Sequence, residues 1–210
     1  MLQVALDVSE AREALRLARL VMPFVDIIEA GTPLIKACGL KIVTQLKKRF
    51  PNRQIVADMK TADVGALEAR LAFRAGADIT TVLGAAPLPT IEAAVAETHA
   101  RSRKIVVDMI GVQHIRSRAE EIVPLAPDYL GVHIGIDEQK QGRNSLSQIG
   151  EVVEFGIPVA VAGGITAVTL ESLRGFSLAV IIIGGAITAA RDPKAQARMI
   201  HDRLTALWPD

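Results

Sequence analysis

An α/β fold, in the form of a single (β/α)₈ barrel over residues 1–210, is the architecture this sequence predicts, and three features lead there. Short runs rich in Val, Ile and Leu alternate along the chain with longer segments of helical periodicity, the pattern of βα units building a parallel sheet. Eight such units occur, the number that closes into a barrel. Hydrophobic residues make up 50% of the chain and aromatic residues only 3%, so the core has to be aliphatic, as suits parallel strands covered by helices.

The strands are predicted at residues 3–6, 26–30, 54–59, 79–83, 104–110, 129–133, 158–162 and 179–183. Ile105-Val106-Val107 and Val180-Ile181-Ile182-Ile183 are continuously apolar and β-branched, which marks strands buried on both faces. Between them, residues 10–20, 35–49, 66–75, 91–100 and 195–207 carry apolar side chains three and four apart, as amphipathic helices do. Gly76-Ala77-Asp78 and Gly156-Ile157-Pro158 mark helix stops followed by strands, and Pro51-Asn52 ends the second helix. An open doubly wound sheet would need a glycine-rich dinucleotide loop after its first strand. Leu6-Asp7-Val8-Ser9 stands there instead, which favours the closed barrel.

Composition excludes several function classes. The 24 Lys and Arg nearly cancel the 23 Asp and Glu, and no basic patch suggests a nucleic-acid partner. No apolar run approaches the roughly 20 residues needed to cross a bilayer. The single cysteine, Cys38, forms no intrachain disulfide, which favours a reducing compartment. Leu2-Gln3-Val4-Ala5-Leu6 begins without a basic leader, so a soluble cytoplasmic protein is expected.

Polar residues recur where the apolar strands end: Asp7, Glu29, Asp58 with Lys60, Asp108, and His133. In a barrel all strand C-termini open on one mouth, where catalytic groups collect, so these residues are expected to converge. Asp7 has a second reading, as the N-cap of a helix with Glu10 completing a capping box, and the residues alone leave both open. Asp58-Met59-Lys60-Thr61-Ala62-Asp63 is the sharpest local feature. A period of two puts Asp58 and Lys60 on one face and Met59 toward the helices. Burying two charges calls for pairing, and a paired lysine beside further carboxylates at a barrel mouth favours a functional site over a structural salt bridge. His99, His114 and His201 fall in helical or loop segments and read as surface or packing residues. Lys47-Lys48-Arg49 reads as a solvated helix end. The last two strands end in Gly163-Gly164 and Gly184-Gly185. Backbone N–H groups exposed in such turns before a helix bind anions, and barrels commonly hold phosphate after strands seven and eight.

With Asp7, the pattern Asp58-x-Lys60-x-x-Asp63 resembles the orotidine 5′-phosphate decarboxylase superfamily. An acid at the position of Glu29 is a mark of its metal-dependent branch, the 3-hexulose-6-phosphate synthases and 3-keto-L-gulonate-6-phosphate decarboxylases (KGPDC). Glu29-Ala30-Gly31-Thr32-Pro33, Thr81-Val82-Leu83-Gly84, Val106-Val107-Asp108-Met109-Ile110-Gly111 and Val161-Ala162-Gly163-Gly164-Ile165 are similar to the synthases, in order along essentially the whole chain. The decarboxylases follow their histidine with arginines, where Ile134 and Ile136 stand, and place an arginine at Gly185. Asp108 replaces their glutamate.

The resemblance implies a lyase: aldol addition of formaldehyde to D-ribulose 5-phosphate through an enediolate, or the reverse cleavage. It implies Mg²⁺, with Mn²⁺ as the alternative, on Glu29 and Asp58. His133 would be the base, Lys60 the cation beside the oxyanion, and Asp108 and Asp7 partners of the lysine or of substrate hydroxyls. Gly163, Gly164, Gly184 and Gly185 would take the phosphate. It further implies a homodimer, with Asp63 acting across the interface. Decarboxylation of 3-keto-L-gulonate 6-phosphate, and a non-catalytic barrel binding a phosphosugar, remain the alternative readings.

Overall fold

The structure is a computed structural model and describes residues 1–140 and 146–208. Strands and helices alternate as β1 (Leu2–Leu6), α1 (Ala11–Val21), β2 (Ile27–Ala30), α2 (Thr32–Cys38), α3 (Lys41–Arg49), β3 (Gln54–Thr61), α4 (Gly65–Arg74) and β4 (Ile79–Leu83). They continue with α5 (Leu88–His99), β5 (Lys104–Asp108), α6 (Ile115–Ile122), β6 (Tyr129–His133), α7 (Ile136–Gln139), α8 (Leu146–Val152) and β7 (Val159–Ala162). β8 (Val180–Ile183), α9 (Gly185–Thr188) and α10 (Pro193–Leu207) complete the chain. The strands are parallel and close into a barrel in sequence order, with β8 returning to β1.

The expected strands are all present. β3 runs on to Thr61, two residues past the apolar pattern, because polar residues continue the strand into the mouth. The single helix expected over 35–49 is two helices. α2 starts earlier, at Thr32 with Pro33 in its first turn, and ends at Gly39, whose φ of 66° interrupts an apolar periodicity that runs straight through the break.

Strand alternation divides the core into two layers. One set of side chains, including Val4, Ile28, Ile55, Val107 and Val161, packs outward beneath the helices. The other set points inward, where Ile27, Val56, Ile79, Tyr129, Ala160 and Val180 fill the barrel. Two residues further along the same inward faces come Glu29, Asp58 and Thr81. The register that fills the lower barrel with aliphatic carbon therefore delivers polar groups to its top.

Aspartates pin the floor. Asp26 Oδ2 accepts the Leu2 N–H at 2.7 Å, Asp78 Oδ2 that of Ile55 at 2.9 Å, and Asp128 Oδ2 that of Ile105 at 3.0 Å. In each case the residue before an even-numbered strand holds the start of the preceding odd one. Lys47, expected at a solvated helix end, instead donates to Asp78 at 2.7 Å. β7 and β8 pair at Ala160–Val180 and Val161–Ile181, and their crossover is a 3₁₀ helix, Thr169–Leu173. Among the described residues no helix is long and apolar enough to cross a membrane.

Candidate active site

A cavity of about 770 Å³ opens at the C-terminal ends of the strands. Asp7, Glu29, Asp58, Lys60, Asp108, His133, Gly163, Gly164, Gly184 and Gly185 all line it, so the chain brings together every expected site residue but one. Asp63 is the exception. It is exposed, its Oδ1 accepts the Val64 N–H at 2.7 Å, and Val64, Leu67 and Leu71 beside it are 52, 50 and 41% exposed.

Asp7 is not a cap. The residue at the N-cap of α1 is Glu10, which makes no side-chain cap bond, so the capping box does not form. The Asp7 carboxylate instead lies against the β2–α2 turn. A Cβ on Gly31 would stand 2.1 Å from Asp7 Oδ1, which explains why the turn holds a glycine there.

Lys60, Asp58, Asp108 and His133 form one connected array. Lys60 Nζ donates to Asp108 Oδ2 at 2.6 Å and lies 3.2 and 3.1 Å from Asp58 Oδ1 and Oδ2. Asp108 Oδ2 also meets His133 Nδ1 at 3.1 Å, while its Oδ1 accepts the Ile110 N–H at 3.0 Å. Thr32 Oγ1 reaches Asp58 Oδ2 at 2.7 Å, and Thr81 Oγ1 donates to Asp58 Oδ1 at 2.8 Å. Gln3 Nε2 donates to Glu29 Oε2 at 2.6 Å. Buried carboxylates need such donors, because an unpaired charge at this depth is costly.

The surroundings set the protonation states. Burial works to raise the Asp108 carboxyl, but the hydrogen bond and charge of His133, then Lys60, outweigh it and bring it down to about 2. Burial likewise opposes the Lys60 ammonium, yet Asp108 and then Asp58 hold it above its ordinary value. The acids on β1 and β2 go the other way. Burial, then the charges of Asp58 and Asp7, push Glu29 well above its ordinary value; burial and Asp58 raise Asp7.

Three carboxylates, Asp7, Glu29 and Asp58, thus line one cavity close enough for their charges to repel. That chemistry fits a hard divalent cation, whose charge would relieve the repulsion. Among the described residues no group of three or more His, Cys, Asp and Glu is arranged to hold a metal alone. A cation held by Glu29 and Asp58 would therefore draw its remaining ligands from substrate and water, as Mg²⁺ commonly does.

Across the cavity lie the glycine turns. Gly163 has φ of 104°, and a Cβ there would meet the Ile134 carbonyl oxygen at 2.5 Å, so the turn is closed to other residues. Gly185 begins α9. Among the cavity residues not singled out from the sequence as site residues are Gln3, Thr32, Thr81 and Gln139, whose Nε2 donates to the Ile134 carbonyl at 2.8 Å. Strand alternation alone, counted back from Asp7 to Gln3 and back from Leu83 to Thr81, carries the signal for two of them.

Residues 1–200 match the profile of the orotidine 5′-phosphate decarboxylase / HUMPS family. The chain belongs to that family. A 3-hexulose-6-phosphate synthase of Mycobacterium gastri is 44% identical over 203 residues, 95% of this chain and 97% of that one. The crystal structure of a 3-hexulose-6-phosphate synthase from Salmonella typhimurium superposes with a TM-score of 0.95 at 35% identity, covering 99% of both chains. A crystal structure of KGPDC from Streptococcus mutans gives 0.93 at 31% identity over 99% of this chain and 98% of that one. These members of the orotidine 5′-phosphate decarboxylase / HUMPS family are named synthases and decarboxylases, so the chain is an enzyme.

Proposed function

We propose that the chain catalyses the metal-dependent aldol addition of formaldehyde to D-ribulose 5-phosphate, giving D-arabino-3-hexulose 6-phosphate. The observation that carries this reading is the pair of contacts on one oxygen, Asp108 Oδ2, which meets both His133 Nδ1 and Lys60 Nζ inside the cavity. A base and a cation are thereby fixed against a common anchor, the arrangement that proton abstraction next to a carbonyl needs.

With Asp108 held ionised, His133 Nδ1 is the protonated nitrogen of that contact and Nε2 is left as the basic one. His133 Nε2 takes a proton from C1 of the pentulose phosphate, leaving an enediolate. Lys60, kept charged by its two carboxylates, stands beside the oxyanion. C1 attacks the formaldehyde carbon, and the resulting alkoxide takes a proton back from the His133 imidazolium. Glu29 and Asp58 would hold Mg²⁺ or Mn²⁺, which supplies polarisation of the C2 carbonyl when bound. The backbone N–H groups of the turns at Gly163, Gly164, Gly184 and Gly185, all of which line the cavity, receive the phosphate.

The exposed apolar side chains of Val64, Leu67 and Leu71 support a homodimer in which Asp63 of one chain serves the cavity of the other. Ile134 and Ile136, rather than arginines, stand after His133 and favour aldol addition over decarboxylation of 3-keto-L-gulonate 6-phosphate.

Formaldehyde consumption with D-ribulose 5-phosphate and Mg²⁺, run with and without a chelator, tests the proposal. Metal-dependent consumption yielding a six-carbon ketose phosphate is expected. Well-folded protein that consumes no formaldehyde but releases CO₂ from 3-keto-L-gulonate 6-phosphate would replace it with the decarboxylase reading.

A further inference from the structure

β3 and β4 do not pair evenly at the mouth. Ala57 registers with Thr80, but Thr61 registers with Val82, so β3 carries two more residues than β4 across this stretch. The surplus forms a bulge, and Lys60 within it takes a left-handed backbone with φ of 46°. A non-glycine residue holds that conformation only where neighbours impose it.

One side chain does so. The Lys60 N–H, taken off the regular ladder by the bulge, donates to Thr81 Oγ1 at 2.9 Å. Thr81 is buried, and its hydroxyl has a single proton. That proton goes to Asp58 Oδ1 at 2.8 Å. The direction of both bonds is fixed, since an amide N–H only donates and a carboxylate only accepts. Lys60 Nζ then closes a ring by reaching back to Asp58. Thr32 also binds Asp58, but no bond joins it to the Lys60 backbone among the described residues.

We propose that Thr81 is the positioning residue of this site, its hydroxyl setting at once the orientation of the Asp58 carboxylate and the bulge from which the Lys60 side chain enters the cavity. The proposal deepens the aldolase reading and rests on it for its kinetic consequence. The structural role stands apart from which reaction is catalysed.

The test compares Thr81→Val, which keeps the β-branched shape without the hydroxyl, with Thr81→Ser, which keeps the hydroxyl. Two quantities are read in full-length protein: kcat against KM for D-ribulose 5-phosphate, and the hydrogen-exchange rate of the Lys60 amide followed by NMR. The valine variant is expected to lose at least about tenfold in kcat with KM little changed, and its Lys60 amide to exchange at least about tenfold faster. The serine variant should recover both to near the wild-type values. Valine matching wild type in both readouts, or serine as impaired as valine, would overturn the proposal. Should the wild-type chain fail to condense formaldehyde with the pentulose phosphate, the aldolase reading falls, and the exchange rates alone decide the role of Thr81.

Discussion

His133 Nδ1 lies 3.1 Å from Oδ2 of Asp108, the same oxygen that receives Lys60 Nζ at 2.6 Å. One carboxylate oxygen therefore holds both the His133 ring and the Lys60 ammonium in place. Asp108→Asn keeps the shape but loses the charge that both partners need. Its kcat is expected to fall by roughly 10²-fold or more, the scale of a misoriented general base. Steady-state kinetics check this, and a variant within threefold of wild type would remove Asp108 from the mechanism.

Asp108 also makes the fold sensitive to acid. Its carboxyl sits at about 2, against an ordinary 3.8, so its contribution to stability is present above pH 4 and is lost as pH falls through 2. The shift corresponds to on the order of 2 kcal/mol. Urea unfolding of wild type and Asp108→Asn should show a stability gap that narrows between pH 4 and pH 2. A gap constant over that range would contradict the lowered value.

Glu29 has the opposite sign. Its carboxyl is raised above 4.5, so in the metal-free fold its own contribution to stability is greatest below that pH and is lost as pH rises through the raised value. Glu29→Gln removes the buried charge and retains an oxygen that Gln3 can bind. At pH 7.5 the metal-free variant should melt a few degrees higher, for a gain of about 1–2 kcal/mol, while losing activity. Added Mg²⁺ should raise the melting temperature of wild type and leave that of the variant unchanged.

The apolar strip beside Asp63 predicts an oligomer. Leu67→Glu with Leu71→Glu puts two charges where exposed leucines now stand. Light scattering coupled to size exclusion should show wild type at twice the chain mass and the double variant as a monomer. Activity should fall with it, and Asp63→Asn should lower activity without dissociating the pair. A monomeric wild type would end this expectation.

Much of the barrel was legible because strands buried on both faces leave continuous apolar runs, and Tyr129–His133 and Ile79–Leu83 were located to the residue. The break at Gly39 was not, since Leu40, Ile42 and Val43 carry the apolar pattern through it. Within the site, ionisable residues announced themselves by interrupting those runs. Thr81 and Thr32 did not, because threonine is an ordinary strand and loop residue whose hydroxyl is silent until a carboxylate is placed beside it. Asp7 was ambiguous for a related reason: Asp suits a cap as well as a site, and only the later start of α1, after Glu10, separates the two.

Of the four seams between an odd-numbered strand and the even-numbered one that follows it, the three aspartates beneath the barrel leave one differently made. β1–β2, β3–β4 and β5–β6 are each latched at the floor by Asp26, Asp78 and Asp128, whereas β7 and β8 meet over a short register and are joined by a 3₁₀ turn. That seam also carries both glycine turns. A phosphate bridging them would act as a clasp across that seam, so that the bound ligand would in turn hold this side of the barrel shut.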